Sequence, residues 1–289
     1  MRQRRAQPKA STGAAEPGRS APGGEEEPKE RGAEPTATTG GRVAATRAPE
    51  AGRGGASEGE PSEARGNRGP SSRIAFFDLD KTLLAENSGS LWVRSELREG
   101  HLGYRMAAKA TWWIFKYHLG QASMEHAVLE AIATLEGSQE QTLRERTWRF
   151  YEREVQQLYR PGGLQVLEQH RAAGDRLVLL TSASLYLSER VAEELRLDEV
   201  LCNRFEVVDE HFTGRPHGEL CYGAGKLTHA RASAERAGIT LSDCSFYTDS
   251  TSDLSVLEQV GRPVCVHPDP RLRAIARRRD WPTVDWGRP

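Results

Sequence analysis

Four short apolar runs, none alternating with polar residues, punctuate the chain after residue 73: Ile74 to Phe77, Leu177 to Leu180, Ser245 to Tyr247 and Val264 to Val266. A strand with one wet face alternates; a strand that does not is buried on both faces, as in a parallel sheet held between helices. A fifth run spans Val200 to Val207. Between the runs, helical periodicity places helices at about 162–173, 186–196, 226–237, 252–260 and 270–279, with Gly238 and Gly261 as stops. Alternation of the two predicts an α/β fold, Rossmann-like, with a mainly parallel sheet and helices on both faces.

One stretch breaks the alternation. From Leu91 to Tyr159 only helical periodicity is present, as in Leu91, Val93, Leu97 and Leu102, then Met124, Val128, Ile132 and Leu135. So long an insertion between the first and second strands is uncommon without a task such as covering a site, and it predicts a small helical cap over about residues 85–160. Within it lies Ala110 to Tyr117, which includes Trp112, Trp113 and Phe115. Those aromatics read as packing inside a helical hairpin, as an apolar lining for a phosphorylated lipid, or as a weak interfacial contact with a membrane. The run is too short to span a bilayer.

Composition divides the 289 residues unevenly. Residues 1–72 hold 13 of the 28 Gly and 8 of the 15 Pro, with no Leu, Ile, Phe, Tyr, Trp or Cys. A segment so poor in apolar surface cannot offset the entropy of ordering its backbone, so a disordered tail is expected there and the folded unit over 73–289. Lys and Arg number 40 against 41 Asp and Glu, which argues against a polyanion-binding surface and a nucleic-acid partner. Cys202, Cys221, Cys244 and Cys265 fit no zinc spacing and read as reduced thiols. With no apolar stretch behind Met1 to suggest a secretory signal, a cytoplasmic protein is expected.

The chemistry-bearing residues cluster where strands give way to turns. Asp78 and Asp80 follow the first strand, and in an open α/β sheet ligands sit just past the carboxyl ends of strands. Two crowded carboxylates repel, so they call for a cation or a shared proton; helix capping would account for one of them. Thr181, Ser182 and Ser184 close the second strand ahead of a helix, where hydroxyls and free N–H groups either bind an anionic oxygen or cap the helix. Lys226, one of six lysines, opens a helix against its dipole. Either an anion or an Asp justifies it there, or it is a solvated surface cation. Asp249 and Asp253, four apart at a strand-to-helix junction, are hard oxygen ligands of the kind Mg²⁺ takes.

The ordered set Asp78-Leu79-Asp80-Lys81-Thr82, a strand ending Thr181-Ser182-Ala183-Ser184, then Gly223-Ala224-Gly225-Lys226, then Asp249-Ser250-Thr251-Ser252-Asp253 resembles the haloacid dehalogenase superfamily of phosphohydrolases. Within it the chain is similar to the phosphoserine-phosphatase-like branch with a helical cap, over residues 73–289. The resemblance implies Asp78 as nucleophile, forming an aspartyl-phosphate, and Asp80 as the group that protonates the leaving oxygen and deprotonates water. It implies that Ser182 holds a phosphoryl oxygen, that Lys226 neutralises charge, and that Thr82 and Glu86 join them in binding substrate. Mg²⁺ would be held by Asp78, Asp249 and the backbone carbonyl of Asp80, with Asp253 supporting its water shell. The implied activity is Mg²⁺-dependent hydrolysis of a small phosphorylated metabolite through a phospho-aspartate. The alternatives are a regulatory phospho-ligand-binding protein, a phosphotransferase, or a lipid-phosphate phosphatase. Two positions depart from the branch pattern. Thr248 stands where Gly is usual, and Glu86 lies one place from where a phosphoserine phosphatase is expected to carry a Glu, beside Asn87.

Overall fold

The computed structural model describes residues 73–101 and 124–289. The expected tail at 1–72 and the aromatic run with Trp112, Trp113 and Phe115 lie outside the described residues. Six strands form one sheet: β1 (Ile74–Phe77), β2 (Arg176–Ser184), β3 (Glu199–Asn203), β6 (Ser245–Thr248), β7 (Arg262–Val266) and β8 (Thr283–Val284). Their order is β3-β2-β1-β6-β7-β8, and every pairing is parallel.

Both faces of this sheet are covered, which is why its strands read as unbroken apolar runs. Ile74 and Phe76 lie on one face with Val178, Leu180 and Phe246. They meet Ala230 and Ala234 of α6 (Ala224–Arg236), Val256 of α7 (Leu254–Leu257), and Leu272 and Ala276 of α8 (Pro270–Arg278). Ala75 and Phe77 point the other way with Leu177 and Leu179. Their partners are Leu167 of α4 (Pro161–Ala172) and Val191 and Leu195 of α5 (Leu185–Leu195). All four cysteines are buried with free thiols.

Between β1 and β2 the described residues form α1 (Ser88–Arg98), α2 (Met124–Ala133) and α3 (Glu140–Phe150), followed by a wider turn over Tyr151–Val155. The base of this insertion is pinched shut by two backbone bonds, Ala85 N–H to the Leu158 carbonyl and Arg160 N–H to the Leu83 carbonyl, both 2.8 Å. Ion pairs Arg98–Glu154, Arg153–Glu99 and Arg146–Glu96 join α1 to α3 and the turn after it. Beside the base, Trp286 lies against Gly162. A Cβ there would fall 2.7 Å from the Trp286 Cα, so only glycine lets α4 start so close to the C-terminal segment.

The run Val200 to Val207 is not one strand. The sheet strand ends at Asn203, whose side chain turns back to donate to the Ser182 carbonyl at 2.7 Å and accept from Cys221 N–H at 2.8 Å. The chain then leaves the sheet as an antiparallel hairpin of β4 (Phe205–Val208) and β5 (His211–Pro216). Phe212 packs with Leu143 of α3 and Tyr186 of α5 in a separate small cluster. Phe212 N–H donates to the Ser138 carbonyl and Glu140 N–H to the Glu210 carbonyl, both at 2.9 Å. The hairpin therefore belongs structurally with the helical insertion rather than with the sheet.

Candidate active site

From β1 the chain runs outward to β2 and β3 and then crosses back to β6 on the other side of β1. The switch in strand order falls between β1 and β6, the place where an open sheet leaves a crevice beyond its strand ends. Phe77 pairs with Tyr247 across this switch, and Asp78 N–H extends the ladder to the Tyr247 carbonyl at 2.9 Å. Asp78 and Asp249 are thus the first acidic residues past the tips of two adjacent strands.

After Asp78 the backbone makes one wide turn over Leu79–Leu83, closed by Leu84 N–H on the Leu79 carbonyl at 2.9 Å. Asp80 is extended in it, and Lys81 has φ of 59°, a left-handed conformation that a lysine adopts only under constraint. The turn brings Thr82 back under Asp78, where Thr82 Oγ1 donates to Asp78 Oδ2 at 3.2 Å. Thr82 is wholly buried. It is a partner of the Asp78 carboxylate.

Lys226 comes from the first turn of α6. Gly225 before it permits the tight entry, because a Cβ at that position would sit 2.0 Å from the Leu220 carbonyl oxygen. Lys226 is 2% exposed, and its ammonium donates to Asp78 Oδ1 at 2.7 Å and Asp253 Oδ2 at 2.8 Å. This resolves the open reading of Lys226: it is no surface cation. Burial opposes its charge, but Asp253 and Asp78 outweigh burial and hold the ammonium well above the usual lysine range. Asp253 also accepts from Thr248 Oγ1 at 2.7 Å. Where the branch pattern has glycine, Thr248 thus adds a buried hydroxyl that secures the Lys226–Asp253 pair.

The carboxylates respond to this crowding. Burial first, opposed by Lys226 and reinforced by Asp253 and Asp80, raises Asp78 to about 7. Burial, then repulsion from Asp78 and Asp253, raises Asp249 to about 8. Asp80 is also raised, chiefly by burial, against donors from Ser88 that pull the other way. Its Oδ1 accepts Ser88 N–H at 2.7 Å and its Oδ2 accepts Asn87 Nδ2 at 3.1 Å.

The sequence points to Glu86 as a substrate contact and to Asn87 only as its neighbour. The Glu86 carboxylate is half exposed and lies 3.6 Å from Arg94, while Asn87 reaches Asp80. The signal was present in the sequence, since Asn ahead of Ser88-Gly89-Ser90-Leu91 is a helix N-cap pattern. Ser182, half-buried near the end of β2, offers its carbonyl to Asn203, and the neighbouring Thr181 hydroxyl accepts Ala183 N–H at 3.1 Å.

Among the described residues no three His, Cys, Asp or Glu side chains gather into a metal cage. Asp253 Oδ2 is committed to Lys226 and Thr248, and the Asp80 carboxylate to α1. Asp78, held by Lys226 and Thr82, and Asp249 both lie buried just past the tips of β1 and β6, where burial and repulsion from neighbouring carboxylates raise the proton affinity of each. One or two carboxylates, completed by water and phosphate oxygens, is the donor set Mg²⁺ takes, so the residues fit that ion.

A model of the haloacid dehalogenase-like hydrolase family matches residues 75–258. The chain is 31% identical over 216 residues to a phosphoserine phosphatase of Mycobacterium tuberculosis, covering 73% of this chain and 70% of that protein. It is 32% identical over 219 residues to the inhibition of morphological differentiation protein of Streptomyces azureus, covering 74% and 79%. A crystal structure of a protein of unknown function from Bordetella pertussis Tohama I matches with a TM-score of 0.70 at 27% identity, over 75% of this chain and 100% of that one. With its six-stranded parallel sheet, the wide turn after Asp78 and the buried Lys226, the chain belongs to the haloacid dehalogenase-like hydrolase family.

Proposed function

We propose that this hydrolase is a Mg²⁺-dependent phosphomonoesterase acting on a small phosphorylated metabolite through a phospho-aspartate. The observation that carries the reading is the buried ammonium of Lys226 shared between Asp78 and Asp253 at the tips of β1 and β6. Such a charge costs several kcal/mol to desolvate and is hard to justify as scaffold alone. Placed there, it neutralises a carboxylate nucleophile and the phosphate it approaches.

In the proposed reaction Asp78 attacks phosphorus in line, forming a P–O bond to its carboxylate as the ester P–O bond breaks. Asp80, whose burial favours its protonated form, delivers its proton to the departing alkoxide. Asp80 then takes a proton from water as the water oxygen attacks phosphorus, releasing inorganic phosphate and restoring Asp78. Lys226 stays paired with Asp78, Thr82 holds the second Asp78 oxygen, and Ser182 donates to a phosphoryl oxygen. Mg²⁺ bound by Asp78, Asp249 and the Asp80 carbonyl would supply positive charge to the phosphoryl oxygens; charge stabilisation and positioning carry most of the rate in such transfers. Relatives named phosphoserine phosphatase and histidinol-phosphatase support a small phosphorylated alcohol as substrate. The cap helices and the β4–β5 hairpin would enclose it.

The test is turnover of an aryl phosphate with Mg²⁺ by the full chain. Asp78→Asn is expected to lower kcat by at least about a thousandfold. Turnover near the wild-type value would end the phospho-aspartate reading.

A further inference from the structure

The turn after β1 delivers the chain so directly into α1 that the first residues of that helix lie against Asp80. Lys81 N–H reaches the Glu86 carbonyl at 3.2 Å and closes the loop between them. Both Asp80 oxygens are then taken from one side, Oδ1 by Ser88 N–H at 2.7 Å and Oδ2 by the Asn87 amide at 3.1 Å. An aspartate's second torsion is broad, so an untethered carboxylate sweeps a wide arc; two donors on two oxygens restrict it to one orientation.

The direction of the Asn87 amide is fixed by its other end. Its Oδ1 accepts Ser90 N–H and Ser90 Oγ, both at 2.9 Å, as the N-cap of α1. With the carbonyl end committed to the helix, the NH₂ end has to face Asp80. One side chain therefore starts the first cap helix and grips the group at the strand tip.

We propose that Asn87 is a positioning residue for the reaction: it sets the orientation of Asp80 and couples it to the start of the helical insertion. This rests on Asp80 being the proton-transfer group. Asn87 touches neither phosphorus nor the leaving oxygen.

The experiment separates positioning from helix capping by changing the leaving group. Serine caps a helix as well as asparagine does but offers no amide to Asp80, so Asn87→Ser keeps the cap and removes the grip. The full chain, Asn87→Ser, Asn87→Ala and Asp80→Asn are assayed with Mg²⁺ on two probes, phenyl phosphate and 2,4-dinitrophenyl phosphate. The second probe departs without needing a proton. Asn87→Ser is expected to lower kcat/KM, which reports the leaving-group step and not the later attack of water, by about tenfold on phenyl phosphate and by under about threefold on the dinitrophenyl ester, a share of the hundredfold or more that a general acid supplies. Its melting temperature should stay near wild type, while Asn87→Ala loses both stability and the phenyl phosphate rate. A wild-type ratio of the two rates in Asn87→Ser overturns the proposal and makes Asn87 a cap alone. If Asp80→Asn itself leaves that ratio unchanged, the assignment of Asp80 fails and the positioning role falls with it. The two failures are told apart by which variant keeps the ratio.

Discussion

Lys226 is the residue on which the site's electrostatics turn. Its ammonium is removed from water, and the cost is offset only because two carboxylates lie within 2.8 Å. Lys226→Met fills the same space and leaves Asp78 and Asp253 buried without their counter-charge. The expected result is a loss of about 3–5 kcal/mol in stability, read from the urea midpoint, together with loss of aryl phosphate turnover. A variant as stable as wild type would mean that the two carboxylates find another partner. The lysine's role was half legible in the sequence: a cation at a helix start is justified by an anion or is a solvated surface charge, and which of these holds depended on how β1 and β6 came together. Thr248 is the converse. As a letter it was a departure from glycine; its hydroxyl on Asp253 became meaningful only once the turn after β6 was folded.

At the scale of elements, the end of β3 shows what local reading misses. Val200 to Val207 has enough apolar residues to pass for one strand, yet Asn203 ends it because its amide has backbone partners on β2 and before α6. The hairpin that follows turns at Asp209 and Glu210, which adopt φ of 49° and 65° without the Asn-Gly or Gly signal such turns usually carry. β8 is two residues long and exists only as a partner of β7. The start of β3 supplies a testable tie between elements. Glu199 accepts from Ser233 Oγ of α6 at 2.7 Å and pairs with Arg236 of α6 and Arg176 of β2. Burial would raise its carboxyl, but these donors and cations hold it below the ordinary glutamate range. A depressed carboxylate adds stability above its unfolded pKa and loses it as pH falls through the folded one. Glu199→Gln should therefore melt below wild type at pH 7, with the deficit shrinking once pH drops under 4.5. A deficit that is constant with pH would assign the effect to packing.

For the molecule as a whole, a cation is expected to act on the buried carboxylates of Asp78 and Asp249. An ion that binds the folded state alone stabilises it by mass action. Mg²⁺ is expected to raise the melting temperature of the full chain, and Asp249→Asn to abolish that increment while leaving the protein folded. An equal increment in the variant would place the ion elsewhere. Among the described residues no helix is long and apolar enough to cross a membrane. By itself the sequence determined the sheet, since a strand buried on both faces must be apolar at every position and that pattern is local. It placed Asp78 and Asp249 just past strand tips, because strand ends are fixed by the strands, but it pointed to Glu86, which lies by Arg94, where Asn87 is the residue that reaches Asp80. Only the tertiary structure decided the partners: Lys226 with Asp78 and Asp253, Asn87 with Asp80, the hairpin with the cap. Those contacts join residues from separate elements, and a hydrogen bond depends on distance and direction in space, which neighbouring letters do not encode.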